Sequence, residues 1–311
     1  MLQVSVIVPI YNGEQDLPDL LACLLQQTVP PDRLEYLLVN NNSSDRTAAI
    51  LDQAVPEFAS QGYTMRPLLA TEIQSSYAGR NVGIRAARGQ ILVFTDVDCR
   101  PQPDWLQTLV EPLRDPAIAL VVGEVEALPG KSWLEQYAEA QETLSQRHTL
   151  NHPFCPYGQT ANLAIRRQIF AEIGLFRPHL TTGGDADICW RILHNTQSQY
   201  AFVPAAIVRH RHRTTLKELG KQWRRYGRSN RYLHELYGVP LMRSLTLKET
   251  LYRLARWLLK ELPVAILRRD RLRLITTPLD LFTFWARAQG QRQAQFKAAM
   301  AQIPSWQQGD R

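Results

Sequence analysis

Two aspartates one residue apart, Asp96 and Asp98, follow four consecutive apolar residues, Ile91 to Phe94. Such a run suits a strand buried on both faces of a sheet. Alternation along an extended chain would turn both carboxylates to one side, away from Val97. Paired carboxylates at the carboxyl end of a buried strand are oxygen ligands for a hard divalent cation, which completes its shell with water and a ligand's phosphates. Asp also commonly opens a turn at a strand end, so the surroundings must decide between the two readings. Asp185 and Asp187 stand at the start of a helical pattern, where an acid often only complements the helix dipole. His210 and His212 follow a strand-like run from Tyr200 to Val208.

Positioning these groups falls to an alternating series. Residues 3 to 10 and Tyr36 to Val39 read as buried strands, and residues 64 to 70 as a third, ahead of the Asp-bearing strand. Between them, Glu14 to Gln27 and Ala48 to Ala54 have helical spacing, and Gly79 to Arg88 reads as a short helix. Strand and helix in alternation predict a mostly parallel α/β sheet, with ligands bound beyond the carboxyl ends of its strands. Tyr11, Asn40 and Asp96 then share one rim. Farther on, Pro101 to Leu113 and Lys131 to Arg147 read as helices and Ile118 to Val122 as a strand. Leu216 to Tyr237 and Leu247 to Leu262 are amphipathic helices, and the tail from Gln289 reads as polar and loose.

At this point the chain resembles glycosyltransferase family 2. The resemblance rests on Val6-Ile-Val-Pro-Ile-Tyr-Asn-Gly-Glu14, Leu38-Val-Asn-Asn-Asn-Ser-Ser-Asp45, Gly79-Arg-Asn-Val-Gly83 and Phe94-Thr-Asp-Val-Asp98. Gly183-Gly-Asp-Ala-Asp-Ile-Cys-Trp-Arg191 and Val208-Arg-His210 follow in the same order, so it covers roughly residues 3 to 230. It implies a GT-A fold, with a Rossmann-like, mostly parallel sheet flanked by helices and an amphipathic helical extension. The expected division is 1–214 for the catalytic domain (nucleotide-sugar half about 1–100, acceptor half about 101–214) and 215–311 for basic C-terminal helices. The implied activity is inverting transfer of a sugar from a nucleoside diphosphate, expected to be uridine diphosphate, to a hydroxyl of a glycan or lipid-linked acceptor, with Mn2+ or Mg2+ as cofactor.

Carried over residue by residue, the resemblance assigns Pro9, Tyr11, Asn12, Glu14, Asn40, Arg80 and Asp96 to the nucleotide sugar. Asp98 and His210, with Asp96, are assigned to the metal, and His212 is the reserve for His210. Asp185 is the expected base. Asp187 and Arg191 lie one helical turn apart and are expected to pair. Asn162, Gly184, Trp223 and Arg224 are assigned to the acceptor side. Two positions depart from the family's habit: Asn40 where Asp is more common, and Gly184 where an acid usually precedes the base. Bland alternatives stand beside several of these. Glu14 is also a reasonable first-turn helix acid, Asn40 to Ser44 a turn with a helix cap, and Asn162 a structural amide.

Charge adds a second feature. Residues 209 to 273 hold 18 Lys and Arg against 5 Asp and Glu, so the rest of the chain carries −6 within a total of +7. Trp and Tyr interleave with these cations. Either two solvated helices pack on the domain, or an interfacial patch meets an anionic membrane surface. No nucleic-acid module accompanies the patch, so no specific nucleic acid is expected. The competing reading is a catalytically silent, membrane-associated scaffold or a nucleic-acid-binding protein; retention of Asp96, Asp98 and Asp185 argues against silence. Met1 runs straight into a strand without a signal peptide, and no apolar run is long enough to span a bilayer. Four scattered cysteines read as reduced thiols. The expected location is cytoplasmic, peripheral on the membrane's cytoplasmic face.

Overall fold

The computed structural model describes residues 3–306 and resolves them into two compact units. The first comprises the chain through Leu128, then Leu144–Arg211, and the segment from Ala298. The second comprises Pro129–Thr143 and His212–Lys297. The units thus interleave along the chain, whereas the sequence suggested a single cut at 214.

The first unit begins β1 (Val4–Ile10), α1 (Leu17–Leu25), β2 (Leu34–Asn40), α2 (Thr47–Ser60), β3 (Thr64–Leu69), α3 (Ser76–Ala86) and β4 (Ile91–Phe94). It continues with β5 (Cys99–Pro101), α4 (Trp105–Val110) and β6 (Ile118–Ala127). Every residue of β1 and β2 is buried, which explains their unbroken apolar runs. The eight strands among the described residues form one sheet in the order β3-β2-β1-β4-β7-β6-β8-β5. Its first four strands are parallel, as the alternation predicts. The other strands mix both directions: β4 pairs antiparallel with β7 (Leu163–Arg166), which pairs antiparallel with β6. The last strand, β8 (Gln199–His210), enters between β6 and β5, parallel to the former and antiparallel to the latter.

The helix expected over Lys131–Arg147 is two short ones, α5 (Trp133–Ala140) and α6 (Gln146–Leu150). Glu142 takes a left-handed φ of 47° between them, and Ser132 and Ser145 cap the two starts. They also belong to different units. The helices α7 (Ile169–Ile173) and α8 (Gly184–Asn195) complete the first unit. Its tail is tied down: Leu175 N–H donates to Pro304 O at 2.9 Å, and the Arg167 guanidinium lies 5.5 Å from the centre of the Trp306 ring. The loose tail expected from Gln289 is therefore corrected for the described residues.

The C-terminal unit holds α5 together with α9 (Leu216–Tyr237), α10 (Leu247–Arg256), a π-helical turn (Trp257–Glu261), α11 (Leu262–Arg268) and α12 (Arg271–Gln293). Leu134, Tyr137, Leu219 and Leu279 form its small core. The four cysteines are free thiols, and burial raises the pKa of each. No helix among the described residues is long and apolar enough to cross a membrane.

Candidate active site

The carboxyl ends of β1, β2 and β4 lie side by side because these strands are parallel neighbours. Pro9 is buried within β1, and Tyr11, just beyond it, is 53% exposed. The loops that follow β1 and β2 are stitched together. Asn12 N–H donates to Ser43 Oγ at 2.9 Å, and Ser44 N–H donates to Asn12 Oδ1 at 2.9 Å. Arg46 N–H donates to Glu14 Oε2 at 3.1 Å, so Glu14 serves the entry of α2; its own helix begins only at Leu17. Asn40 is buried, and its Oδ1 accepts from Ser43 N–H at 2.9 Å, so the turn reading holds at that residue.

Beyond β4 the chain turns back, with Cys99 N–H bonded to Asp96 O at 3.1 Å. The two carboxylates therefore sit in a turn instead of alternating along a strand, and they go to different partners. Arg80 on α3 donates to Asp96 Oδ1 at 2.5 Å. His210 Nε2 lies 3.2 Å from Asp98 Oδ1, brought there by the pairing of Cys99 with His210 across β5 and β8. The expected metal trio of Asp96, Asp98 and His210 is not brought together as one cluster; Asp96 is paired with Arg80 instead. Among the described residues no cluster of three or more metal-ligating side chains is present. His212, the reserve, falls in the C-terminal unit, where it lies near Glu135.

The remaining pair still suits a hard cation. Two cis ligands at about 2.1 Å from an octahedral ion stand about 3 Å apart, close to the 3.2 Å observed. A hard cation of this kind normally takes few protein ligands and fills its shell with water and phosphate. Arg80 supplies a matching anion feature: its Nε is buried and has no hydrogen-bond partner among the described residues. A buried, charged donor left in this state suits a phosphate oxygen.

At the start of α8, Gly183 adopts a left-handed φ of 82°, which a side chain would strain. Gly184 N–H donates to Tyr77 Oη at 2.9 Å, and a Cβ at 184 would meet the Tyr77 ring at 2.7 Å. The acid expected before Asp185 is thus displaced by a tyrosine ring, which stacks on Phe176 and carries the Arg80 guanidinium 5.5 Å from its centre. Asp185 is half-buried and accepts from Thr160 Oγ1 at 2.7 Å. Asp187 is fully buried between Arg177 Nε (2.8 Å) and Arg191 (2.9 Å), the latter being the i, i+4 pair read from the spacing.

Of the acceptor-side candidates, Asn162 is fully buried and its amide is occupied. It donates to Glu124 O and Ala206 O, both at 2.8 Å, and accepts from Trp105 Nε1 at 2.7 Å. That is a structural amide joining α4, β6 and β8. Trp223 and Arg224 lie on α9 in the C-terminal unit, where Trp223 packs edge-on to Tyr226 at 5.5 Å. Sequence reasoning missed three supports: Tyr77, Thr160, and the salt bridge of Arg211 with Asp16 that ties the end of β8 to the entry of α1.

Comparison with known proteins adds independent findings. The sequence pattern described as "Glycosyl transferase family 2" matches residues 5–174, and that of "Glycosyl transferase family group 2" matches residues 91–287. Glycosyltransferase AglE of Haloferax volcanii is 34% identical over 189 residues, covering 58% of this chain and 58% of its own length. This chain therefore spans little more than half of that relative. Among solved structures, mannosyltransferase PcManGT of Pyrobaculum calidifontis, in complex with GDP-Man and Mn2+, superposes with a TM-score of 0.62. It is 17% identical and covers 93% of this chain and 85% of its own. Glucosyl-3-phosphoglycerate synthase of Mycobacterium tuberculosis, in complex with Mg2+ and UDP, gives a TM-score of 0.54 at 19% identity, over 77% of this chain and 80% of its own. At such identities the structural likeness speaks for the fold alone.

Proposed function

The chain belongs to glycosyl transferase family 2 and has the GT-A fold, and from that premise we propose that it transfers a sugar from a nucleoside diphosphate to an acceptor hydroxyl, with inversion at the anomeric carbon. The observation that carries the reading is the rim itself: Asp98 with His210, and Arg80 with Asp96, beyond the ends of parallel strands. Asp98 and His210 would hold the divalent cation, Mn2+ or Mg2+. When bound, such an ion offsets charge on a leaving diphosphate. Arg80 binds the diphosphate through its buried guanidinium, and Asp96 stands beside it toward the ribose. With Asn40 Oδ1 held by Ser43, its Nδ2 is left to donate to a carbonyl of the base, which suits uracil. Pro9, Tyr11, Asn12 and Glu14 complete the nucleotide side. Asp185, oriented by Thr160, takes the proton from the acceptor hydroxyl as it attacks.

Ligand linkage tests the donor half directly. UDP with Mn2+ should raise the melting temperature of the purified chain, by a stabilisation of about 2.7 kcal/mol at one hundred times the dissociation constant. Mn2+ or UDP alone should do less. Absence of any shift with UDP, GDP or other nucleoside diphosphates would remove the donor assignment, and a hydrolysis screen of sugar nucleotides would then identify the sugar where a shift occurs.

The acceptor is proposed to be a glycan or lipid-linked hydroxyl presented at an anionic membrane surface, with the protein peripheral on its cytoplasmic face. Support comes from α10 to α11. No residue of α10 is buried, and Leu251, Leu259 and Leu267 are 56%, 74% and 84% exposed. Lys248, Arg253, Arg256 and Lys260 interleave with them. Exposed apolar residues amid cations suit an interface, where each cation contributes on the order of 1 kcal/mol before screening. Flotation with anionic liposomes should weaken in high salt and on replacing Leu251, Leu259 and Leu267 by Ser. Equal recovery with neutral and anionic vesicles would count against the surface.

A further inference from the structure

One buried side chain, Tyr77, touches both the donor-side cation and the start of the helix that carries Asp185. It lies on α3 three residues before Arg80, so the two are neighbours on one face of that helix. The Arg80 guanidinium sits over its ring, 5.5 Å from the centre. Its hydroxyl oxygen accepts from the N–H of Gly184, the first residue of α8, at 2.9 Å.

The surroundings hold this ring in place. It stacks on Phe176 at 5.8 Å and 14°, and Phe176 packs edge-on against Phe94 of β4 at 5.6 Å. Asn81 of α3 is buried and grips the Phe176 backbone from both sides: its Nδ2 donates to Phe176 O at 2.8 Å, and its Oδ1 accepts from Phe176 N–H at 3.0 Å. Ser75, which caps α3, donates through Oγ to Pro178 O at 2.5 Å. The segment leading to α8 is therefore carried on α3. The first N–H groups of a helix have no partner within it, and the phenol takes one of them here. Packing alone does not call for that hydroxyl, since a phenylalanine ring would fill the same stack. Arg80, on the ring's face, holds Asp96 and keeps a buried Nε without a hydrogen-bond partner among the described residues.

We propose that Tyr77 is a positioning residue for the transfer: it fixes the start of α8, and with it Asp185, against the Arg80 guanidinium, so that a diphosphate engaged by Arg80 firms the seat of the base. The inference rests on the donor and base assignments above. Both contacts are direct and lie within one unit, the guanidinium on the ring and the hydroxyl at the Gly184 amide.

The test is amide hydrogen exchange of the full chain, with UDP and Mn2+ as the probe. In wild type the probe should slow exchange of Gly184 N–H about fivefold or more. It should also slow exchange of Ser43 N–H, which Asn40 Oδ1 accepts on the nucleotide side. Tyr77→Phe keeps the ring for Phe176 and Arg80 and removes only the acceptor. In that variant Gly184 N–H should exchange about tenfold faster or more and no longer respond to the probe, while Ser43 stays protected and UDP affinity stays normal. Tyr77→Leu removes the ring as well and should also weaken UDP binding. A tyrosine that merely filled space would leave the Gly184 response intact in Tyr77→Phe, and that result overturns the proposal. Loss of protection at Gly184 and Ser43 alike in Tyr77→Phe overturns it too, because the loosening is then general. If Ser43 is protected in wild type but Gly184 does not respond, the proposal alone falls. If UDP with Mn2+ protects neither, the donor reading falls and takes the proposal with it.

Discussion

Asp185→Asn should bind the donor normally and lose transfer by about 100-fold or more, which corresponds to about 2.7 kcal/mol of transition-state stabilisation. The substitution keeps the shape at the start of α8. An amide oxygen can still accept the Thr160 hydroxyl, which now lies 2.7 Å from Asp185 Oδ1, so the residue stays in place and only basicity is removed. Asp187→Asn is the contrast. Asp187 is fully buried and balances two guanidiniums, Arg177 and Arg191, and removing its charge leaves both cations inside the unit. Breaking a buried pair in this way costs about 3–5 kcal/mol, so this variant should melt early while its folded fraction turns over at a near-normal rate. Single-turnover kinetics and a thermal melt on each variant separate the two roles. Near-normal turnover in Asp185→Asn would take away both the base and the inverting mechanism built on it.

Asp98→Ala should abolish the dependence of nucleotide binding on Mn2+. His210 Nε2 lies 3.2 Å from Asp98 Oδ1, and on the proposed reading the two share the cation, which His210 alone would hold poorly. The readout is UDP affinity measured with and without Mn2+. In wild type the metal should tighten binding and a chelator should reverse the effect; in the variant the two affinities should coincide at the weaker value. Unchanged metal dependence would end the assignment of Asp98 as ligand.

What the sequence revealed follows from how local each signal is. β1, β2 and β4 are buried on both faces, so their apolar runs stand out with no partner needed. β5 has three residues and exists only because β8 pairs with it, so nothing local marks it. The antiparallel direction of β7 is equally silent, since a buried strand reads the same in either sense. α12 was missed because it carries Pro278 within it and its faces are shared between packing and solvent. In the site, the types and order of Asp98, Asp185 and His210 were visible through the resemblance. Their partners were not: Thr160 and Tyr77 carry no special spacing, and the chain turns at Asp96, whose carboxylate pairs with Arg80, where alternation had implied a continuing strand.

The placement of β8 also has a kinetic meaning. It is the last strand among the described residues, yet it sits inside the sheet between β6 and β5. It delivers His210 to Asp98, and the neighbouring Arg211 reaches back 195 residues to Asp16. Contacts of such sequence separation close late, because a long loop must be ordered before any contact rewards it. During synthesis, therefore, the amino-terminal strands can pair while Asp98 and His210 are still apart, and whatever occupies that pair enters only after β8 has slotted home. Ion capture would thus mark the end of folding for this unit, reporting on the arrival of β8 rather than on the assembly of the strands before it.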